Sequence, residues 1–293
     1  MSTPNFFILG APRSATTFLY RAVAQHPQIY MSPVKEPAFF SHDEREPKWI
    51  TPVAAPRGIV QWADYLKLFD AGASYPVRGE ASTGYLADAY AAQRIQLRLK
   101  EPPYMVAVLR HPADRAYSHY VYHRMGTVEP APTFEEAIKD EDNRRAHHWN
   151  MQWRYRETGL YGQHLARYLD LFGSSRLLVL LHEEFDDAPA VFRRVFGFLG
   201  IDDQVPINLG GKVNESGVSK SSFAAWILQN RNPVKLLARK ILPAAARSKL
   251  RHQLTDRPPA MTAQTRADLI AFYREDILRT QALIGRDLSA WLK

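Results

Sequence analysis

Three short stretches hold the residue types best suited to chemistry. The first is Gly10-Ala-Pro-Arg-Ser-Ala-Thr-Thr17, which gathers a glycine, a cation and several hydroxyls. The second is Lys35-Glu36-Pro37, a carboxylate beside an amine and ahead of a proline. Proline disfavours the helical region for its predecessor, so Glu36 is expected on a fixed, extended backbone. Neighbours on an extended segment point to opposite faces, which would part Lys35 from Glu36. The third is Arg110, with Ser118 downstream. Arginine can make paired hydrogen bonds to a phosphate and serine a short one.

These residues need elements to position them. Asn5-Phe-Phe-Ile-Leu-Gly10 is a short apolar run ending in glycine and reads as a buried strand. Ala11 to Ala15 reads as a loop, and Thr16 to Ala24 has apolar residues at helical spacing. The loop therefore lies between a strand and a helix, where backbone N–H groups and the helix dipole make an anion site. Its backbone and side chains from Arg13, Ser14, Ala15, Thr16 and Thr17 are the candidate ligands. Tyr104 to Leu109 is a second buried strand, closed by Arg110-His-Pro112, and a helix from about Ala113 carries Arg115, Ser118, His119 and Tyr122. Arg110 thus falls at the end of a strand, the edge where open α/β sheets bind ligands. Arg176 to His182 is a third strand, preceded by a helical pattern from Gly162 to Phe172. Alternating strands and helices predict an α/β fold, with a mostly parallel sheet flanked by helices.

The remaining segments are less regular. Glu44 to Gly58 is rich in proline and charge and reads as a loop. Thr133-Phe-Glu-Glu136 has capping-box spacing and should start a helix. Phe223 to Leu254 reads as basic amphipathic helix, and Thr262 to Leu292 as a closing helical stretch. With no internal repeat or long linker, residues 1–293 are expected to form one domain.

Composition narrows the classes. Of 293 residues, 46% are hydrophobic and 23% charged, which suits a globular protein with a sizeable core. The absence of cysteine excludes disulfides, thiolate metal sites and a thiol nucleophile. No apolar run approaches a membrane span, and the polar start Met1 to Asn5 lacks a signal pattern, so the chain is expected to be cytoplasmic. A net charge of +8 favours anionic partners. His147 and His148 are adjacent and would project differently, so no metal site is expected.

The loop differs from a nucleotide-triphosphate P-loop. Thr16 stands at the position of the Walker lysine and Ala15 where the last glycine would be. That weakens a kinase or NTPase reading, while Arg13 puts a cation inside the loop.

Phe7 to Tyr20 resembles instead the 5′-phosphosulfate loop of sulfotransferases that use 3′-phosphoadenosine 5′-phosphosulfate (PAPS). The motifs His26-Pro-Gln-Ile and Lys35-Glu-Pro-Ala-Phe-Phe40 resemble the next part of that pattern. Val106 to Ser118 resembles the 3′-phosphate motif. Gly159-Leu-Tyr161, Glu183-Glu-Phe185 and Leu283 to Trp291 fit the bacterial branch, which is similar to the enzymes that sulfate heparan. The resemblance runs in order along nearly the whole chain.

It implies PAPS as co-substrate, no metal, and a sulfuryl transfer to a hydroxyl or amine. Glu36 would be the general base. Arg13 would stabilise the departing phosphate oxygen. Arg110 and Ser118 would hold the 3′-phosphate. Lys212 to Lys220 resembles the late loop that closes over the adenosine, with Asn214, Gly217 and Lys220 as contacts. There are departures. In Gly79-Glu-Ala-Ser-Thr-Gly-Tyr85 the heparan enzymes carry a lysine where Ala81 stands, so that catalytic helper is either missing or replaced by Lys35. His111 beside Arg110 is read as a turn residue rather than the base.

The acceptor is open among glycans, lipids, phenols and other small molecules. Asn143 to Arg156 mixes cations with aromatic rings and could stack sugars, or equally pack its rings inward. Trp226 to Leu254 could rest on anionic membrane. No nucleic-acid partner is expected. The alternative readings are a P-loop-like nucleotide kinase or NTPase, and a basic nucleic-acid binder.

Overall fold

A computed structural model describes residues 2–41, 51, 58–126, 128–208, 218–219, 255–256 and 260–293. Five strands form one parallel sheet: β1 (Phe6–Gly10), β2 (Ile29–Met31), β3 (Val77–Ala81), β4 (Tyr104–Leu109) and β5 (Leu177–Leu181). Their spatial order is β2-β3-β1-β4-β5, and all four pairings are parallel. The expected α/β architecture is what is found.

Side chains on a strand alternate between faces. On β1, Phe7 and Leu9 join one core while Phe6 and Ile8 join the other. On β4, Met105, Ala107 and Leu109 face the first core and Val106 and Val108 the second. Helices α3 (Ala91–Arg98), α4 (Pro112–Met125), α7 (Tyr161–Phe172) and α9 (Ala263–Ile284) cover the first face. Helices α1 (Thr16–Val23) and α8 (Ala188–Leu199) cover the second. Burial on both sides is why these strands read as unbroken apolar runs.

The strand order sets where a ligand can bind. β1 lies between β3 and β4; its chain leaves to α1 on one face, while that of β4 leaves to α4 on the other. Neighbouring strands with helices on opposite faces leave a crevice at their carboxyl ends. Gly10 ends β1 there and Arg110 follows β4.

Local capping follows the sequence. Pro112 starts α4, where its missing N–H costs nothing. Thr133 caps α5 (Phe134–Lys139) by accepting from the Glu136 N–H. Thr262 caps α9, and Gly285 ends it in the left-handed region. Most of the Glu44–Gly58 loop lies outside the described residues, as does the basic stretch from Phe223 to Leu254. Among the described residues no helix is long and apolar enough to cross a membrane.

Gly10 ends β1 close against the segment that follows β3. Its φ is 148°, and a Cβ added there would lie 2.8 Å from the Thr83 carbonyl oxygen. Gly10→Ala should therefore lower the melting temperature by roughly 3–10 °C, from about 1–3 kcal/mol of overpacking. Thermal denaturation followed by circular dichroism measures this.

Candidate active site

The loop after β1 takes an unusual path. Arg13 and Ala15 have φ of 68° and 63°, left-handed values for residues with side chains. Such strain persists where the surroundings over-determine it, and it clusters at binding sites. Helix α1 begins after Ala15 with no side-chain cap, so its first N–H groups are not taken by a capping residue. Thr17 is exposed, whereas Ser14 and Thr16 are buried.

Arg13 reaches from this loop to α4. Its Nε lies 3.4 Å from Ser118 Oγ, and its guanidinium sits 4.7 Å from the centre of the Tyr122 ring. Arg110 Nη1 donates to the Arg13 carbonyl at 3.2 Å. Three residues picked from two separate stretches of sequence thus meet at the β1–β4 crevice. Burial pushes the Arg13 pKa down, Tyr122 opposes this, and the nearby Arg110 cation lowers it further. Among the described residues neither arginine forms a salt bridge. Two adjacent cations, with neither in a salt bridge, leave positive potential at the crevice that favours an anion.

Packing behind Arg110 comes from distant motifs. Tyr161 OH donates to the Arg110 carbonyl at 2.9 Å, and its ring lies 6.2 Å from that of Trp291. Trp291 Nε1 donates to Glu183 Oε1 at 3.2 Å. His111 lies beside Trp291, 4.0 Å from Asp114, and burial holds its pKa below the usual value. It immediately precedes α4, the turn position expected of it.

Glu36 corrects one expectation. Its φ is 61°, left-handed rather than extended, and that of Ala38 is 52°. The local preference imposed by Pro37 yields to contacts with the 80–85 segment. Glu36 N–H donates to the Ala81 carbonyl at 2.9 Å. The Glu36 carboxylate accepts from the Thr83 N–H at 2.8 Å and from Thr83 Oγ1 at 2.9 Å. Lys35 and Glu36 are not on opposite faces either, since Lys35 Nζ lies 2.6 Å from Glu36 Oε1. The Glu36 side chain remains 40% exposed, so a substrate can reach it.

Below this turn is a group that sequence reasoning passed over. Glu80 is fully buried and accepts hydrogen bonds from Tyr65 OH (3.0 Å), Tyr85 OH (2.8 Å) and Ser82 Oγ (2.7 Å). Burial, opposed by these hydrogen bonds, pushes its pKa up to about 7. The sequence carried little signal for it, because the polar residues of β3 hide the strand on which it lies. Ala81 is also buried, in the core cluster that includes Leu19 of α1.

Of the Asn143–Arg156 segment, Arg144, Trp153 and Tyr155 face inward. Arg144 pairs with buried Glu129 at 2.7 Å, and Tyr155 OH donates to the same acid at 2.5 Å. Arg145, His147 and His148 are exposed. The inward half is thus packing, not an acceptor surface. Asn214, Gly217 and Lys220 lie outside the described residues.

The family described as "Sulfotransferase domain" matches residues 3–223. The chain belongs to the sulfotransferase family. A crystal structure of a sulfotransferase from Alicyclobacillus acidocaldarius is similar over all of both chains, at 30% identity and a TM-score of 0.77. The bifunctional heparan sulfate N-deacetylase/N-sulfotransferase 3 of Mus musculus is 24% identical over 99% of this chain and 31% of its own length. Carbohydrate sulfotransferase 15 of Mus musculus is 26% identical over 68% of this chain and 44% of its own. The chain therefore spans less than half the length of these curated relatives. Sulfotransferase membership replaces the nucleotide-kinase and NTPase alternative.

The raised Glu80 pKa has a pH consequence. A carboxyl whose folded pKa exceeds its unfolded value contributes stability below the unfolded pKa, and this is lost as pH rises through about 7. Between pH 5 and 8, the melting temperature of Glu80→Gln should rise relative to the wild type, as thermal denaturation across that range will measure.

Proposed function

We propose that this sulfotransferase moves a sulfuryl group from PAPS to an acceptor hydroxyl or amine, with Glu36 as general base. The observation that carries the reading is the convergence of Arg13, Arg110 and Ser118 at the β1–β4 crevice. Two anion-seeking cations from separate motifs suit a nucleotide with phosphates at both ends. Arg110 and Ser118 would hold the 3′-phosphate. The loop from Arg13 to Thr17, at the start of α1, would hold the 5′-phosphosulfate.

The chemistry resembles phosphoryl transfer in its demands: in-line alignment, and neutralisation of charge on the leaving side. Glu36 would accept the acceptor proton as the acceptor oxygen or nitrogen bonds to sulfur. Arg13 would stabilise the phosphate oxygen released when its bond to sulfur breaks, leaving 3′-phosphoadenosine 5′-phosphate (PAP). In this conformation Arg13 leans on Ser118 and Tyr122, so its side chain would turn toward the 5′ end when the nucleotide binds. Lys35, paired with Glu36, would orient the carboxylate and add a cation near the transferred group. Ser14 and Thr16, being buried, would contribute through the loop they shape, while Thr17 is open to solvent.

The acceptor side is read from the relatives. Curated matches include enzymes named for heparan sulfate and for carbohydrate, which supports a glycan as the first acceptor class to try. No metal enters this scheme, because PAPS carries its own activation. We read the chain as cytoplasmic.

Incubating the protein with PAPS and a panel of glycan and phenol acceptors, then reading the sulfate mass gain by mass spectrometry, tests the reading. Glu36→Gln should cut turnover about 10²–10⁴-fold with PAP affinity unchanged. Arg110→Ala should raise the PAPS KM about tenfold or more, from the loss of a charged phosphate contact. Normal turnover by Glu36→Gln would remove Glu36 from the chemistry. An unchanged PAPS KM for Arg110→Ala would remove the 3′-phosphate role.

A further inference from the structure

The turn that carries Glu36 is strained and tied down in an uncommon way. Two of its N–H groups donate to side-chain hydroxyls: Ala38 to Ser82 Oγ at 3.0 Å, and Phe40 to Tyr85 OH at 3.2 Å. A hydroxyl accepts in a fixed direction only when its own proton has a fixed destination. Both protons go to one group, because Ser82 Oγ donates to Glu80 Oε2 and Tyr85 OH to Glu80 Oε1. One buried carboxylate therefore sets the direction of both anchors of a turn whose left-handed residues need external support.

We infer that Glu80 is a positioning residue for Glu36: as a carboxylate it orients the Ser82 and Tyr85 hydroxyls, which hold the 36–40 turn in its working shape. The inference rests on reading Glu36 as the base. The groups that face Glu80 are Tyr65 of α2 (Trp62–Lys67), Ser82 and Tyr85 beyond β3, Tyr168 of α7, and Glu36 itself. It forms no salt bridge among the described residues. The ionised form accepts all three hydroxyl donors. In the protonated form one carboxyl oxygen becomes a donor, so at least one hydroxyl must turn its proton elsewhere. Burial favours that protonated form as far as about pH 7. Glu80 therefore trades stability at alkaline pH for a fixed turn.

That opposition separates positioning from mere structure. Glu80→Gln keeps the size but offers an NH₂ where an oxygen accepted from Ser82. Ser82→Ala removes one anchor directly. Tyr65→Phe is the control, since Tyr65 donates to Glu80 but accepts no N–H from the turn. Hydrogen–deuterium exchange at pH 8 should quicken about tenfold at Ala38 and Phe40 in Glu80→Gln, quicken at Ala38 in Ser82→Ala, and change little in Tyr65→Phe. With PAPS and an acceptor identified by mass gain, Glu80→Gln should lower kcat about tenfold or more. Its PAP affinity should stay within about twofold and its heat stability at pH 8 should not fall. Wild-type kcat should rise through pH 7, and that rise should be absent in Glu80→Gln.

Unchanged exchange at Ala38 and Phe40 in Glu80→Gln would overturn the inference. So would normal kcat despite faster exchange, or losses of kcat and stability in parallel. The exchange measurement needs no acceptor and no role for Glu36. If Glu36→Gln turns over normally, the base reading fails while exchange still reports whether Glu80 holds the turn.

Discussion

Everything at the site depends on two neighbouring parallel strands whose helices depart to opposite faces of the sheet. β1 sends its chain to α1 and β4 sends its chain to α4. The crevice between their ends receives Arg13 from one side and Arg110 from the other. Bringing two guanidiniums together is unfavourable unless something anionic shares the space. Among the described residues no carboxylate forms a salt bridge with either, although Asp114 lies close enough to Arg110 to feel its charge. The carboxylates nearby are committed elsewhere: Asp114 is paired with Arg266 and Glu183 is bonded to Trp291. The crevice thus keeps positive charge that no salt bridge there neutralises, which is what supports the proposal of a polyanionic nucleotide.

The second dependence runs through the segment after β3. Thr83 holds the Glu36 carboxylate by two hydrogen bonds, and its carbonyl packs against Gly10 at the start of the loop. The acid and the anion loop therefore share one short stretch of main chain. A disturbance on either side is transmitted to the other without a long path. Glu80, Ser82 and Tyr85 belong to the same stretch, so one seven-residue run from Gly79 to Tyr85 braces both halves of the site.

β1, β4 and β5 were legible in the sequence because burial on both faces makes a strand uniformly apolar. β2 and β3 were not. β2 has only three residues, and β3 reads Val-Arg-Gly-Glu-Ala, where polarity hides a strand whose Arg78 and Glu80 find partners of their own. The Arg13–Thr17 loop and Arg110 stood out because they follow apolar strand-like runs, in motifs that resemble those of a known family. The conformation of Glu36 was misjudged because a local rule about the residue before proline was outweighed by three hydrogen bonds to another segment. The basic, aromatic run at 143–156 divided, with Arg144 and Tyr155 drawn inward by Glu129. Composition alone cannot show that division, because it does not reveal a partner distant in sequence.

The central claim is that the Arg13 loop and the Arg110–Ser118 edge form two ends of one nucleotide site. Calorimetric titration of the wild-type protein with PAP and with adenosine 5′-phosphate tests it most directly. The account predicts a single PAP site at least tenfold tighter than that for adenosine 5′-phosphate, with the difference abolished in Arg110→Ala. Equal affinity for the two nucleotides, or a PAP preference that survives Arg110→Ala, would contradict it.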